Sequence, residues 1–322
     1  MPEFTPPWWL RNPHAQTVFG RIVRPRRLVE LERETIETPD GDELLLDHLP
    51  GDPNTRFILM HGLEGSSNSV YMQGLLSAIA TRGMSATAMN FRSCARDPKN
   101  LSRMLPNRRP RFYHSGETGD LDFVVQTLAK RSPSTKFLAA GASLGGNALL
   151  KWLGEHPGQT TIAAAATISV PYDLGAGAIH LEQSWGGRLY VNRFLATLKE
   201  KVKAVQQKFP ETKLDMDRVM RSRTFREFDD AATAPLHGFR DADDYYARSS
   251  SLHFLAKITT PTLCISAEDD PFLPREALDR ARAAASASVH FVTTPHGGHV
   301  GFVGESMTYW AEELAVEWLL AR

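Results

Sequence analysis

The stretch Gly141-Ala142-Ser143-Leu144-Gly145 is the most informative in this chain, because its form, G-x-S-x-G, is typical of a serine on a sharp strand-to-helix turn. Residues 136–140 before it form a short apolar run that predicts a strand. Residues 147–153 after it predict a helix with one apolar face. The flanking glycines prevent side chains from colliding with the strand and the helix. An ordinary turn can have the same pattern, but the strand-turn-helix setting favours a nucleophilic serine.

Strand-like and helix-like segments alternate along most of the 322 residues. This alternation is typical of a mostly parallel, twisted sheet with helices on both faces, and we predict an α/β fold of that kind. A hairpin is expected over residues 28–38 and 44–49, joined by the turn residues 39–42. Further strands are predicted at 57–60, 85–91, 136–140, 162–170, 262–266 and 289–292. Helices are predicted at 70–81, 117–130 and 307–320, and a further helix is predicted to begin near 274.

Residues 172–256 interrupt this alternation, since they contain helical material rich in Lys, Arg, Asp and aromatic residues but no strand pattern. A structureless loop of that length is implausible in a compact domain. We therefore predict a single α/β domain over residues 1–322, with residues 172–256 as an inserted helical cap. A cap at this point can cover the carboxyl ends of the strands, exclude water and shape a substrate pocket.

The composition restricts the class of protein. Lys plus Arg and Asp plus Glu both number 37, so the chain lacks the basic excess that nucleic-acid binding requires. Two cysteines, Cys94 and Cys264, indicate a reduced chain without structural disulfides. Residues 1–7 do not have the form of a signal peptide, and no stretch reaches the roughly 20 apolar residues of a membrane helix. We expect a cytoplasmic protein, with peripheral membrane contact and oligomeric state left open.

A serine nucleophile requires a base and a carboxylate that orients the base. In chains whose serine lies on a G-x-S-x-G turn, these residues follow one another in the order Ser, then Asp or Glu, then His. The strand predicted at 262–266 runs into three consecutive acids at 268–270. We predict that Asp270 orients the base, because Pro271 begins a tight turn that would fix its position. Asp269 is the alternative, and we expect the spare carboxylate to cap the following helix.

The base is predicted in the loop after the last strand, whose sequence at residues 296–299 is HGGH. Two glycines allow this loop to turn back over the strand ends. His299 is the predicted base because the glycine pair precedes it and an apolar segment follows, whereas His296 is expected to be a loop residue. His61 precedes Ser143 in the chain, which violates the expected order, so we predict a structural role for it.

An oxyanion formed at this serine needs two backbone N–H donors. One is predicted at Leu144, directly after the nucleophile, and the other at Leu63, in the sequence HGLEG at residues 61–65 after a predicted strand. No H-E-x-x-H or paired C-x-x-C spacing occurs, and neither phosphate-loop nor dinucleotide-binding motifs are present. We therefore expect neither a metal nor another cofactor.

Stretches of distinctive sequence occur along nearly the whole chain: LRNPHAQT at 10–17, HGLEG at 61–65, GASLGGN at 141–147, FDD at 228–230, TAPLHGF at 233–239, YY at 245–246, DDPF at 269–272 and HGGH at 296–299. With these stretches in this order the chain resembles the α/β hydrolases, and in particular their YheT-like branch, also called the AB hydrolase 4 family. One departure is Ser93, where that family usually has glycine, which concerns only local backbone geometry.

The resemblance implies a serine esterase in which Ser143, Asp270 and His299 form the charge-relay set. Relatives in this branch include lipid hydrolases and medium-chain alcohol acyltransferases, which implies small-molecule esters with short- to medium-length acyl chains or lipid-like esters as substrates. We expect hydrolysis through an acyl-enzyme. Acyl transfer to an alcohol by the same residues and non-catalytic binding on a hydrolase fold are the alternatives. By analogy, His14 packs near the pocket or has a purely structural role.

Overall fold

The computed structural model describes residues 3–25 and 28–322, so Met1 and Pro2 of the N-terminal stretch discussed above lie outside it. The strands are β1 Glu32–Glu37, β2 Glu43–Leu49, β3 Asp52–Met60, β4 Met84–Asn90, β5 Arg96–Asp97, β6 Asn100–Met104, β7 Lys136–Ala142, β8 Ile162–Ile168, β9 Thr262–Ala267 and β10 Val289–Thr294. Eight of them form the main sheet, in the order β1-β2-β4-β3-β7-β8-β9-β10. The pairs β1–β2 and β2–β4 are antiparallel, and every other neighbouring pair in this sheet is parallel.

Helices cover both faces of this sheet, as the alternation predicted. Within β3, Phe57 and Leu59 belong to one apolar core and Ile58 and Met60 to the other, so both faces of the strand are buried. The helices are α1 Pro13–Val23, α2 Val70–Ala80, α3 Gly119–Arg131, α4 Leu144–Glu155, α5 Leu174–Gln183, α6 Trp185–Lys208, α7 Met216–Arg221, α8 Phe225–Phe228, α9 Ala234–His237, α10 Ala242–Ser249, α11 Arg275–Ala284 and α12 Trp310–Leu320. Helices α2 and α12 pack on the face with Phe57 and Leu59, and α3, α4 and α11 on the face with Ile58 and Met60.

Residues 172–256 contain the six helices α5 to α10 and, among the described residues, no strand. Between α8 and α9 the backbone forms one π-helical turn over Asp229–Thr233, a rare geometry that is frequent at functional sites. No helix in the described part of the chain is long and apolar enough to cross a bilayer.

Several features differ from the predicted pattern. The first strand begins at Glu32 and not at 28, and the Leu28 N–H donates instead to the side chain of Gln73 on α2 at 2.8 Å. The arginine-rich loop after β4 contains the short hairpin β5–β6, and residues 13–23 form a helix that the sequence pattern did not predict. The last helix begins at Trp310 and not at 307, because Met307 has a positive φ of 60° and its N–H bonds to the carbonyl of Gly304 in a turn.

The parallel strands determine where chemistry can occur. The carboxyl ends of β3, β7, β9 and β10 lie along one edge of the sheet, because these strands run in the same direction. The four loops singled out in the sequence follow these four strand ends. Their side chains and backbone N–H groups therefore converge at one place.

Candidate active site

Ser143 lies on the turn between β7 and α4 with φ 52° and ψ −121°, a conformation that non-glycine residues rarely adopt. Its N–H donates to the carbonyl of Ile168 at 2.8 Å. A Cβ on Gly145 would lie 2.5 Å from the carbonyl oxygen of Met60, and one on Gly141 would lie 2.6 Å from that of Gly145. The glycines are therefore required by close backbone approach, and they keep the turn sharp enough to expose the serine hydroxyl.

A chain of hydrogen bonds runs from this serine to a buried carboxylate. The Nε2 atom of His299 lies 2.9 Å from the Ser143 hydroxyl, and its Nδ1 atom lies 2.8 Å from Oδ2 of Asp270. Asp270 is buried and also accepts the N–H of Phe272 at 2.8 Å, which fixes the carboxylate in its turn. The three residues predicted from the sequence are therefore brought together with the spacing that proton relay requires.

Asp269 and His296, the alternatives considered for the acid and the base, form a separate pair. The Nδ1 atom of His296 lies 3.1 Å from Oδ2 of Asp269, and Oδ1 of Asp269 accepts the N–H of Gly298 at 3.0 Å. Asp269 thus shapes the histidine loop. The expectation that the spare carboxylate caps the following helix was wrong, since no side chain caps α11 after Pro274.

The histidine loop is held by the N-terminal helix α1, which the sequence analysis missed. The N–H of His299 donates to Oγ1 of Thr17 at 2.9 Å. The Gln16 side chain accepts from the N–H of Val303 at 2.8 Å and donates to its carbonyl at 3.1 Å. A Cβ on Gly298 would lie 2.4 Å from the carbonyl of Pro13, so glycine there lets α1 approach. The sequence signal for this contact is the stretch LRNPHAQT at 10–17, whose last two residues, Gln16 and Thr17, hold the loop.

His14 itself does not line the cavity. Its Nδ1 atom lies 3.2 Å from the hydroxyl of Tyr190 on α6, which does line it. His61 is fully buried, with Nδ1 bonded to the carbonyl of Gly62 and Nε2 accepting the N–H of Phe91 at 3.1 Å. Burial lowers the pKa of His61 to about 4, so it stays neutral. Both contacts agree with the structural role predicted for it.

Two backbone N–H groups next to Ser143 have no hydrogen-bond partner within the described residues: those of Leu63 and Leu144. The N–H groups on either side of Leu63 are occupied, since Gly62 donates to the hydroxyl of Tyr71 at 2.7 Å and Glu64 donates to that of Tyr113. Leu144 begins α4, so its N–H has no acceptor inside the helix. These are the two donors predicted from the sequence, and both residues line the cavity beside Ser143.

Glu64 connects this loop to the inserted helices. Its Oε1 atom pairs with Nζ of Lys201 on α6 and accepts the hydroxyl of Tyr113 at 3.0 Å. Both charged side chains are buried, and Lys201 also lies 3.2 Å from the sulfur of Cys94. Glu64 has a positive φ of 55°, so the chain turns sharply directly after Leu63.

The site opens into a cavity of about 460 Å³, within the range that holds small ligands. One wall comes from the strand-end loops with Leu63 and Leu144, and the other from α5, α6 and α10 of the inserted segment. Phe272 stacks on the His299 ring with centroids 4.1 Å apart and planes 9° apart. The apolar residues that line the cavity include Leu174, Ala178, Leu181, Phe194, Leu198, Phe225 and Phe228.

The cavity wall formed by residues 172–256 is largely apolar but contains one acid, Asp229. Asp229, in the π-helical turn, accepts the hydroxyl of Thr233 at 2.6 Å and that of Tyr246 at 2.8 Å. Burial raises the pKa of Asp229 to about 7, although these two hydrogen bonds act in the opposite direction. Apart from its place in the stretch FDD at 228–230, no sequence pattern marks this residue.

A group that could bind a metal lies nearby, although no motif predicted it. Ligand atoms of His114, Glu117 and His237 lie within 4.8 Å of one another. The guanidinium of Arg111 already binds the Glu117 carboxylate, and His114 Nε2 lies 3.5 Å from the same oxygen. A metal would have to displace that guanidinium, so we assign none. The absence of a cofactor stays a prediction.

Comparisons with known proteins agree with this architecture. The model of the alpha/beta hydrolase fold family matches residues 55–306. The chain is 34% identical to the Escherichia coli (strain K12) protein named Putative esterase YheT, over 98% of this chain and 93% of that protein. It is 33% identical to the mouse Phospholipase ABHD3, over 93% of this chain and 73% of that protein.

A likeness to solved structures supports the fold alone. The esterase Pf2001 of Pyrococcus furiosus superposes with a TM-score of 0.60 at 17% identity, covering 93% of this chain and 97% of that one. Family model, sequence relatives and fold agree over nearly the whole chain. The chain belongs to the alpha/beta hydrolase fold family and, within it, to the branch that contains YheT.

Proposed function

We propose that this chain is a serine carboxylic ester hydrolase that acts through an acyl-enzyme. The observation that carries the proposal is the hydrogen-bonded series Ser143–His299–Asp270, with distances of 2.9 and 2.8 Å, beside a largely apolar cavity. A merely structural serine would not need a strained backbone aimed at a histidine that is itself held by a buried carboxylate.

In the proposed mechanism, the Ser143 oxygen attacks the ester carbonyl while Nε2 of His299 takes the hydroxyl proton. Asp270 holds the imidazole and stabilises its positive charge. The N–H groups of Leu63 and Leu144 hold the negative oxygen of the tetrahedral intermediate, and each such donor contributes about 3 kcal/mol of barrier lowering. His299 then protonates the leaving alcohol, and a water molecule activated by the same histidine releases the acid.

The cavity favours esters with an apolar acyl portion of short to medium length, or lipid-like esters. Leucine and phenylalanine side chains make up most of its apolar lining, and the names of the relatives include an esterase and a phospholipase. We infer that residues 172–256 act as a cap, since α5, α6 and α10 form the wall opposite the strand-end loops. Such a wall excludes water and makes apolar contact with the acyl chain.

A fluorophosphonate probe tests the nucleophile directly. We expect the purified protein to be labelled at Ser143, and a Ser143→Ala variant to lose both labelling and ester turnover. Lack of labelling in the folded wild-type chain would contradict the proposal. A series of p-nitrophenyl esters graded by acyl length then measures which chains the cavity accepts.

Products formed in the presence of ethanol separate hydrolysis from acyl transfer, because both pass through the same acyl-enzyme. We expect free acid to predominate. Ethyl esters as the main product would favour a transferase. Labelling without turnover of any ester in the series would favour a binding protein.

A further inference from the structure

Three of the six tryptophans in this chain lie on the surface. Trp8, Trp9 and Trp185 are 81%, 50% and 78% exposed, whereas Trp152 and Trp318 are buried. Exposure of one large apolar side chain is ordinary, but a group of tryptophans on the surface indicates an interaction site.

The three exposed tryptophans belong to neighbouring segments. Trp9 packs against Phe19 of α1 with ring centroids 5.4 Å apart. The segment that carries Trp185 also touches α1. A Cβ on Gly186 would lie 2.7 Å from the ring of His14, so the start of α6 lies against the start of α1. We call this surface the tryptophan corner; besides the tryptophans it includes the exposed side chains of Arg11, Ile22, Val23, Arg188 and Leu189.

The cavity that contains Ser143 reaches the surface at the same place. Among the residues that line it, the exposed ones include Arg21 on α1 and Arg193 and Thr197 on α6. Helices α1 and α6 therefore form part of the cavity rim, and both continue into the tryptophan corner. A partner bound there would lie next to the cavity mouth.

The charge of this region is positive, although the whole chain has a formal net charge of zero. Among the described residues, 4–25 contain three arginines and no acidic residue, and residues 183–199 contain three cationic residues and no acidic one. Arg24 is paired with Glu312 at 2.6 Å. Of the acids that flank the second stretch, Glu182 is only partly exposed and Glu200 pairs with Lys203 at 2.8 Å. The exposed arginines of the corner, Arg11 and Arg188, and Arg193 on the cavity rim favour a negatively charged partner.

We propose that the tryptophan corner docks the enzyme on an anionic phospholipid bilayer, with the cavity mouth facing the membrane. Tryptophan rings prefer the interface between headgroups and acyl chains, and arginines attract anionic headgroups. An ester lipid can then enter the cavity from the bilayer surface without crossing water. The benefit of docking for lipid substrates rests on the proposed function. Binding to the bilayer does not itself require catalysis.

A second copy of this chain fits the corner less well. In a twofold symmetric contact the same patch meets itself, so the arginines of one copy would face those of the other. Like charges that face each other across an interface weaken association. The positive charge thus favours a lipid surface over self-association.

Co-sedimentation with lipid vesicles tests the proposal. We expect the wild-type chain to bind vesicles of phosphatidylcholine mixed with phosphatidylglycerol, and to bind phosphatidylcholine alone at least about tenfold more weakly. Two double variants, Trp8→Ser/Trp185→Ser and Arg11→Glu/Arg188→Glu, should each bind the anionic vesicles at least about tenfold more weakly.

Matched controls are Met220→Ser, an exposed apolar residue on α7, and Lys136→Glu, an exposed cation at the opposite edge of the sheet. Both should bind like the wild type. None of the altered residues lines the cavity. Turnover of a water-soluble ester should therefore be unchanged in all four variants.

Wild-type protein that stays in the supernatant with anionic vesicles would overturn the proposal, as would unchanged binding by both double variants. A shift from dimer to monomer in the tryptophan variant, measured by light scattering, would make the corner a contact between copies and also overturn it. Vesicle binding by a chain that the fluorophosphonate does not label would leave docking intact and refute only the proposed function.

Discussion

Lys201 on α6 forms a buried ion pair with Glu64, the residue that follows Leu63. Tyr113 completes the arrangement, since its hydroxyl donates to Glu64 and accepts the Glu64 N–H. The inserted helical segment thus contacts the loop that carries the proposed oxyanion donor. We therefore expect a change at Lys201 to alter the position of Leu63.

Replacement of Lys201 by methionine should lower both stability and activity. The change leaves the Glu64 carboxylate buried without its cation, which typically costs about 3–5 kcal/mol of unfolding free energy. We expect urea denaturation to show that loss, and kcat to fall with it. The double variant Lys201→Met/Glu64→Gln should recover most of the stability, because no buried charge is left. Equal stability of wild type and single variant would show that the pair is not coupled to folding.

The two neighbouring acids should differ sharply in their effect on turnover. Asp270→Asn should lower kcat by about ten-thousandfold, because an amide cannot hold His299 in the required tautomer. Asp269→Asn is the matched control and should lower kcat by less than about tenfold, since the Asp269 side chain hydrogen-bonds to the Gly298 N–H and to His296 and not to His299. Burst kinetics with a p-nitrophenyl ester measure both. The reverse ranking would assign the orienting role to Asp269.

Gly62 should tolerate no side chain beside the nucleophile. A Cβ there would lie 3.0 Å from Cβ of Ser143 and 3.1 Å from the hydroxyl of Tyr71. Gly62→Ala should therefore displace the loop and lower kcat by about tenfold to a hundredfold with little change in unfolding free energy. Gly175→Ala, whose Cβ would meet only ordinary contacts from 3.5 Å, is the control and should keep full activity. Wild-type turnover by Gly62→Ala would show that the loop accommodates the added methyl group without loss of activity.

The strand ends could be read from the sequence because short apolar runs and glycine turns are local signals. Ser143, Asp270 and His299 follow three such runs, so their convergence follows from a parallel sheet. Thr17 and Lys201 could not be found in this way. Each acts through a contact with a residue far away in the chain, His299 or Glu64, and neither has a local pattern that marks it. The π-helical turn was missed because its residues also fit an α-helix.

Asp229 should make stability depend on pH. Its pKa is about 7 in the folded chain because of burial, and an unfolded aspartate has a pKa near 3.8. Between these values the folded chain holds a proton that the unfolded chain releases, so this residue's contribution to stability falls as pH rises from about 4 to about 7 and is constant above. In Asp229→Asn that contribution is absent. The unfolding free energy of the wild type relative to the variant should therefore fall by roughly 4 kcal/mol between pH 4 and pH 8, measured by urea denaturation. A pH-independent difference would mean that Thr233 and Tyr246 keep the Asp229 carboxylate ionised throughout.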